Sequence, residues 1–412
     1  MNGMRTDSLD DAALVSIKAT PDYDPDRVLL AMRQCLEPLG GMRAFVRPGQ
    51  RVLLKPNLVG GFPQDRAATT HPAVVRAAIL LVQEAGATAL VGDSPGMGAL
   101  ERVAATCGLI PVLDETGTGL LDLSTPREFP VPDGAVAQRL ILAGALSEID
   151  VLITLPKLKT HAQMTFTGAL KNQYGLIPGV LKSQWHFRLQ QPEWLAALIL
   201  DIHRAVRPAL AIMDAVTGME GMGPTSGRPR HIGALIAGAD LAAVDTVACS
   251  LINLDPMRVP VLEAARERQF GETRLEKIRI AGDDWRTLCV PDFEKVDQML
   301  DLLRLLPLPG VMLRWVRRSW TARPRILADK CTRCGVCERK CPVSPAAIHP
   351  NNSREHQLEP ARCICCYCCH ELCPSHAIEL VKPWPARMLP LTPLADGATR
   401  LMGLAARRGK HR

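Results

Sequence analysis

The chain of 412 residues is long enough for two or three domains, and 47% apolar against 22% charged residues excludes a disordered polypeptide. Its net charge of +7 favours anionic partners, but there is no Lys/Arg block with interleaved aromatics, which argues against nucleic acid. No apolar run reaches the ~18 residues of a spanning helix, and Met1–Ala13 is polar and acidic without a leader pattern, so the expected location is cytoplasmic.

From residue 12 to residue 282, short β-branched runs alternate with helical patterns. Strands are predicted at Ala13–Ile17, Val52–Leu54, Ala87–Val91, Val151–Leu155, Ala209–Met213, Ile232–Ile236 and Ile278–Ile280. Helices are predicted at His71–Glu84, Leu100–Cys107, Glu193–Val206 and Leu241–Leu251. The strands are continuous apolar runs, as required when helices cover both faces of a largely parallel sheet. Residues 1–282 therefore read as one α/β domain, to which Glu128–Leu142 adds antiparallel strands. Residues 283–325 read as a basic helical connector: Val296–Leu306 and Val311–Trp320 flank Pro307 and Pro309 and carry Arg314, Trp315, Arg317, Arg318 and Trp320. Such a segment packs between domains or touches a membrane surface or an acidic partner. A small α+β ferredoxin-like domain over 326–384 and a basic tail over 385–412 complete the chain.

Of the 14 cysteines, ten lie between Cys331 and Cys373, which in a reducing compartment points to ligation rather than disulfides. Cys331-x2-Cys334-x2-Cys337-x3-Cys341-Pro342 and Cys363-x2-Cys366-x2-Cys369-x3-Cys373-Pro374 are two complete bacterial ferredoxin runs. In such pairs the fourth cysteine serves the other cluster. Cys331, Cys334, Cys337 and Cys373 are thus expected to hold one [4Fe–4S] cluster, and Cys363, Cys366, Cys369 and Cys341 a second. Zinc ribbons use two separated pairs instead of three cysteines in one tight loop. Cys365 and Cys368 fall outside the frame, and Pro342–Arg362 reads as an insertion. Gly96-x-Gly98 lacks a third glycine, Gly221-x-Gly223 runs into Pro224, and no P-loop is present. Electrons are therefore expected from an external donor protein of ferredoxin or flavodoxin type, not from a bound nicotinamide.

Polar residues recur where predicted strands end. Lys55 and Asn57 follow Val52–Leu54, Asp93 and Ser94 follow Ala87–Val91, Lys157, Lys159 and His161 follow Val151–Leu155, and Asp214 follows Ala209–Met213. Open α/β sheets bind ligands outside the carboxyl ends of their strands. The lysines, with Lys171, fit a carboxylate or phosphate. Asp93, Asp214 and Asp245 fit either counter-charges or ligands of a hard cation. His161 and His71 are acid–base candidates, and the glycine-rich Gly218–Gly227 would bring backbone amides close to a ligand.

The strings LLKPNL (Leu53–Leu58), TTHP (Thr69–Pro72), GDSPG (Gly92–Gly96), LPKLKTH (Leu155–His161) and TGALKNQYGLIPG (Thr167–Gly179) resemble domain-of-unknown-function family 362. So do Asp214, the Gly218–Pro224 run and AVDTVA (Ala243–Ala248), and the likeness spans about residues 50–250. The resemblance implies iron–sulfur redox chemistry and marks Lys157, Lys159, His161, Lys171 and Asn172 as site residues. The expected function is a reductase. His161, Lys157, Lys159 and Lys171 are its catalytic residues, and Lys55, Asn57, Asp93, Ser94, Asn172 and Asp214 bind an anionic small molecule. The alternatives are an electron-transfer subunit that docks a redox partner, or a metal- or cofactor-assembly protein.

Overall fold

The computed structural model describes residues 13–189, 191–296, 321–350 and 357–381. The predicted helices of the connector and the basic tail lie outside the described residues. The chain divides into two compact units, Met1–Lys295 and Val296–Arg412.

The first unit has twelve strands among its described residues. In chain order they are β1 (Leu14–Ala19), β2 (Arg51–Pro56), β3 (Thr88–Val91), β4 (Gly119–Leu120), β5 (Pro126–Pro130) and β6 (Arg139–Ala143). Then follow β7 (Val151–Leu155), β8 (Lys157–His161), β9 (Thr165–Thr167), β10 (Leu210–Glu220), β11 (Arg228–Gly238) and β12 (Arg279–Gly282). The main sheet runs β12-β1-β11-β10-β7-β2-β3-β4, with β8 and β9 appended beside β10. Along this path every neighbouring pair is parallel except those made by β11. β5 and β6 form a separate antiparallel pair inside the predicted Glu128–Leu142 region and around it.

The apolar strands are buried on both faces, as their composition requires. Leu53, Leu152, Ala211 and Met213 face one core, packed with Leu195, Leu198, Val244 and Val247. Val52, Leu54, Ile153 and Ile212 face the other, packed with Val28, Met32, Val74 and Ile79. The first core is covered by α7 (Pro192–Val206), α8 (Leu241–Leu251) and α9 (Pro260–Glu267). The second is covered by α1 (Pro25–Leu36), α2 (Pro72–Glu84), α3 (Leu100–Thr106) and α4 (Ile110–Thr116). Proline at the first turn and a side-chain cap fix the starts of α1 and α2, where Asp24 accepts from Arg27 N and His71 from Ala73 N. Two shorter helices, α5 (Ala169–Asn172) and α6 (Gly179–Arg188), precede α7.

Three expectations change. First, Lys157–His161 is not a loop at a strand end but β8, parallel to β10 and antiparallel to β9. Its alternation places Leu158 in the core and Lys157, Lys159 and His161 on the other face. Second, the Gly218–Gly227 stretch closes a long β10–β11 ribbon, and its close approach is to protein. A Cβ on Gly223 would lie 2.1 Å from the Thr160 carbonyl oxygen, and Thr160 Oγ1 donates to Gly221 O at 2.7 Å. Third, the packing of the first unit continues beyond residue 282, because Asp283 pairs with Lys18 at 3.0 Å and Phe293 is buried.

The second unit pairs β13 (Arg323–Ile326) antiparallel with β14 (Ile378–Val381). Between them the chain repeats itself with an offset of 32 residues. Arg333 and Gly335 have φ of 56° and 69°, and Cys365 and Tyr367 have 53° and 60°. Each pair leads into a four-residue helix, α10 (Val336–Arg339) or α11 (Cys368–Glu371). Ile348 bridges Leu358 across the described part of the insertion.

Candidate functional sites

The repeat brings cysteines of the two runs close to one another. Cys331, Cys334, Cys337 and Cys373 line one cavity with Ile326, Val336 and Ile378. Burial and the neighbouring Cys373, Cys331 and Cys334 push the Cys337 thiol up to about 11. Burial and the neighbouring Cys366, Cys363, Cys337 and Cys341 push Cys369 well up. Thiols this crowded resist ionisation unless a metal removes the repulsion, and a coordinating thiol loses its proton outright. Ala347 N and Ala377 N donate to Cys341 Sγ and Cys373 Sγ at 3.3 and 3.2 Å, so the fourth sulfur of each run already has one donor. Among the described residues no three His, Cys, Asp or Glu side chains are placed to grip a single metal ion. All eight cysteines are described and none is in a disulfide. Cys365 takes the place of Arg333 in the repeat and Cys368 that of Val336, which explains why neither belongs to the frame.

In the α/β unit the predicted polar residues form one hydrogen-bonded network. Lys55 Nζ pairs with Asp93 Oδ1 at 2.8 Å and donates to Asn172 Oδ1 at 3.3 Å. Asp93 also accepts from the Leu58 and Ser94 amides at 2.7 and 2.9 Å. Asn172 accepts from Asn57 Nδ2 at 3.2 Å, and Asn57 Oδ1 accepts from Lys159 Nζ at 3.0 Å. Lys159 Nζ further donates to Ala68 O at 2.6 Å. Beside it, Lys157 Nζ pairs with Asp214 Oδ2 at 2.8 Å. The TTHP segment joins the two halves: Thr70 Oγ1 accepts from Asn57 N, and His71 N donates to Asp214 Oδ2. Lys55, Lys157 and Lys159 are at most 1% exposed. Burial pushes the Lys55 and Lys157 ammonium groups down, while Asp93 and Asp214 hold their protons on.

Sequence reading missed Tyr23. Its Oη accepts from Lys157 Nζ at 2.7 Å and from Thr217 N at 3.0 Å, and donates to Asp214 Oδ1 at 2.9 Å. Burial and Asp214 raise this phenol well above the usual range. Its ring stacks on His71, with centroids 3.6 Å apart. Burial lowers His71 to about 4, so it is neutral near pH 7 and not poised for acid–base work there. His161 is 1% exposed, and its Nδ1 accepts from the Gln163 and Met164 amides at 3.1 and 3.2 Å. That arrangement assigns its proton to Nε2 and disfavours the imidazolium, which would need a proton on Nδ1. Lys171 is half-buried on α5 beside Asn172.

The three aspartates do not converge on a cation. Asp93 and Asp214 serve lysines, and Asp245 accepts from Ala169 N and Leu170 N at 2.5 and 3.0 Å. Asp245 thereby caps α5, which carries Asn172. A Cβ on Gly168 would lie 2.1 Å from Asp245 Oδ1, so only glycine admits this contact. Burial raises Asp245 to about 7.

The sequence pattern described as Domain of unknown function (DUF362) matches residues 52–250, and that of a 4Fe-4S binding domain matches 324–345. Thylakoid-associated protein sll1697 of Synechocystis sp. is 39% identical over 255 residues, covering 62% of this chain and 78% of that protein. The chain belongs to the DUF362 family. Its 4Fe-4S match takes in the first cysteine run, so it is an iron–sulfur, metal-binding electron-transfer protein. The family span holds the whole lysine network except Tyr23. Lactate racemase apoprotein from Thermoanaerobacterium thermosaccharolyticum superposes with a TM-score of 0.37 at 12% identity. That superposition covers 58% of this chain, which spans 57% of the racemase structure. Among the described residues no helix is long and apolar enough to cross a membrane.

Proposed function

We propose that the protein is a reductase that draws electrons from an external donor protein of ferredoxin or flavodoxin type. Two [4Fe–4S] clusters, held by Cys331, Cys334, Cys337 and Cys373 and by Cys363, Cys366, Cys369 and Cys341, supply low-potential electrons one at a time. An anionic small molecule in the α/β unit takes up two of these electrons, together with two protons drawn from solvent. The observation that carries this reading is the convergence of Lys55, Lys157 and Lys159, from two strands, on one buried network. Three ammonium groups in a dry site stabilise negative charge far better than in water. Asn57 and Asn172 orient Lys55 and Lys159, and His161 offers Nε2–H as a hydrogen-bond donor. The test is anaerobic: dithionite-reduced protein is mixed with unsaturated carboxylates and organic phosphates, and reoxidation is followed by the visible absorbance of the clusters. Substrate-dependent reoxidation that Lys157→Ala and Lys159→Ala abolish is expected. Normal turnover by those variants removes the lysines from the site.

A second reading rests on a different observation, that each of these lysines is buried and internally bonded. On that reading the α/β unit is a docking scaffold in an electron-transfer complex, and the isolated chain turns over no small molecule. A cytoplasmic protein with peripheral membrane contact through the basic connector fits either reading, and a relative whose name records thylakoid association supports that contact.

A further inference from the structure

The two cysteine runs share a backbone but not a surface. With the 32-residue offset, Lys330, Arg333, Arg339 and Lys340 of the first correspond to Arg362, Cys365, Glu371 and Leu372 of the second. Lys330, Arg333 and Arg339 are exposed and Lys340 is half-buried. None of the four forms an ion pair among the described residues. Of the acidic residues in the same segment, Asp329 is exposed, while Glu338 is held 2.9 Å from His349 Nδ1. The first run also contains Cys334, the one exposed cysteine of the eight, whereas Cys366, Cys369 and Cys373 are buried. Arg339 Nη2 donates to Cys334 O at 2.9 Å. Gly335 makes room for that guanidinium, since a Cβ there would lie 2.8 Å from Arg339 Nη1. A positive charge is thus fixed at the rim of the one exposed ligand.

We propose that Lys330, Arg333, Arg339 and Lys340, which flank Cys334 in the sequence of the first run, form the docking face for an acidic one-electron carrier protein and mark where electrons enter. This rests on the reading of the unit as a two-cluster relay. One electron leaves the reduced carrier, which is oxidised by one unit, for the cluster bound by Cys331, Cys334, Cys337 and Cys373. No covalent bond changes and no proton need move. Basic residues around an exposed ligand steer an acidic partner to it and shorten the path for the electron. The same charges would also offset the negative charge of a thiolate-bound cluster, and the test must separate the two roles.

The experiment uses full-length holoprotein under anaerobic conditions and reduced plant-type [2Fe–2S] ferredoxin as the acidic probe. Stopped-flow reduction is followed across a salt series, and the affinity of oxidised ferredoxin is measured by calorimetry. For wild type, both rate and affinity should fall as salt rises. Lys330→Glu/Arg333→Glu should slow association about 10- to 100-fold at low salt, flatten the salt dependence and weaken binding in parallel. Lys330→Gln/Arg333→Gln should lie between, with iron content unchanged in both variants. Wild type that neither binds nor reacts with ferredoxin, or charge-reversed protein that matches it, overturns the proposal. So does a shifted potential with unaltered binding, which would make the patch a charge compensator. None of these outcomes involves an α/β-unit substrate, so they are separable from failure of the reductase reading.

Discussion

The two units meet their polar requirements in opposite ways. In the α/β unit every buried charge of the network has a protein partner: Lys55 has Asp93, Lys157 has Asp214 and Tyr23, and Lys159 has Asn57 and the Ala68 carbonyl. In the ferredoxin-like unit Cys331, Cys334, Cys337 and Cys373 line one cavity, and burial with the neighbouring thiols pushes Cys337 up to about 11. A cysteine frame with its own spacing names its ligand, whereas a hydrogen-bonded network closed on itself conceals what it binds.

The largest effects should come from the cysteine-rich unit. Cys341→Ser should strip the cluster held by Cys363, Cys366 and Cys369, and Cys373→Ser the one held by Cys331, Cys334 and Cys337. Each variant should lose about half of the iron, with different EPR signals surviving in the two. If Cys341→Ser instead removes the cluster of its own run, the crossed pairing is wrong.

Next in size is the completed network. Lys157→Met leaves Asp214 buried without its ammonium and should cost about 3–5 kcal/mol, read by denaturant unfolding of the α/β transition. Pairing it with Asp214→Leu should recover part of that loss, because two charges are then removed together. A loss below about 1 kcal/mol for the single variant would mean that water reaches the pair. Gly175→Ala should also destabilise, by about 1–3 kcal/mol, since its Cβ would sit 2.4 Å from both Asp93 Oδ1 and Lys55 Nζ.

The smallest effect is on acid tolerance. Burial lowers His203 to about 4 from an ordinary 6.5, and its Nδ1 is buried without a partner. The unfolded chain therefore takes up this proton first as pH falls. The stability linked to His203 is fully present above its unfolded pKa and is lost on acidification toward the folded one. Between pH 6.5 and 5 the slope should be about 1 kcal/mol per pH unit from this residue alone. His203→Leu should flatten it, with unfolding measured at each pH. An unchanged slope would assign the acid sensitivity elsewhere, His71 being the next group to examine.

What could be read from the sequence follows the same division. The cysteine frame was legible because cluster ligation imposes its own spacing, and Cys373 of the second run lines one cavity with Cys331, Cys334 and Cys337 of the first. The seven predicted strands recur, those at the sheet centre because they are apolar runs buried on both faces, while β12 is an edge strand with no buried residue. β8 escaped because Lys157-Leu158-Lys159-Thr160-His161 follows Pro156 and has Leu158 as its one apolar residue, too little for a period-2 signal. Tyr23 escaped for a different reason. It is one of three tyrosines and lies 134 residues from Lys157, so no local pattern ties it to the network. Asp245 was noticed, but as a counter-charge to the lysines or a cation ligand. Its role as a cap for α5 depends on a helix contact that spacing does not encode.

The account stands or falls on the two-cluster assignment. Anaerobically purified protein should contain about eight iron and about eight sulfide per chain and show EPR signals of two reduced [4Fe–4S] clusters on treatment with dithionite. Zinc without sulfide, or about four iron in fully folded and saturated protein, would contradict it.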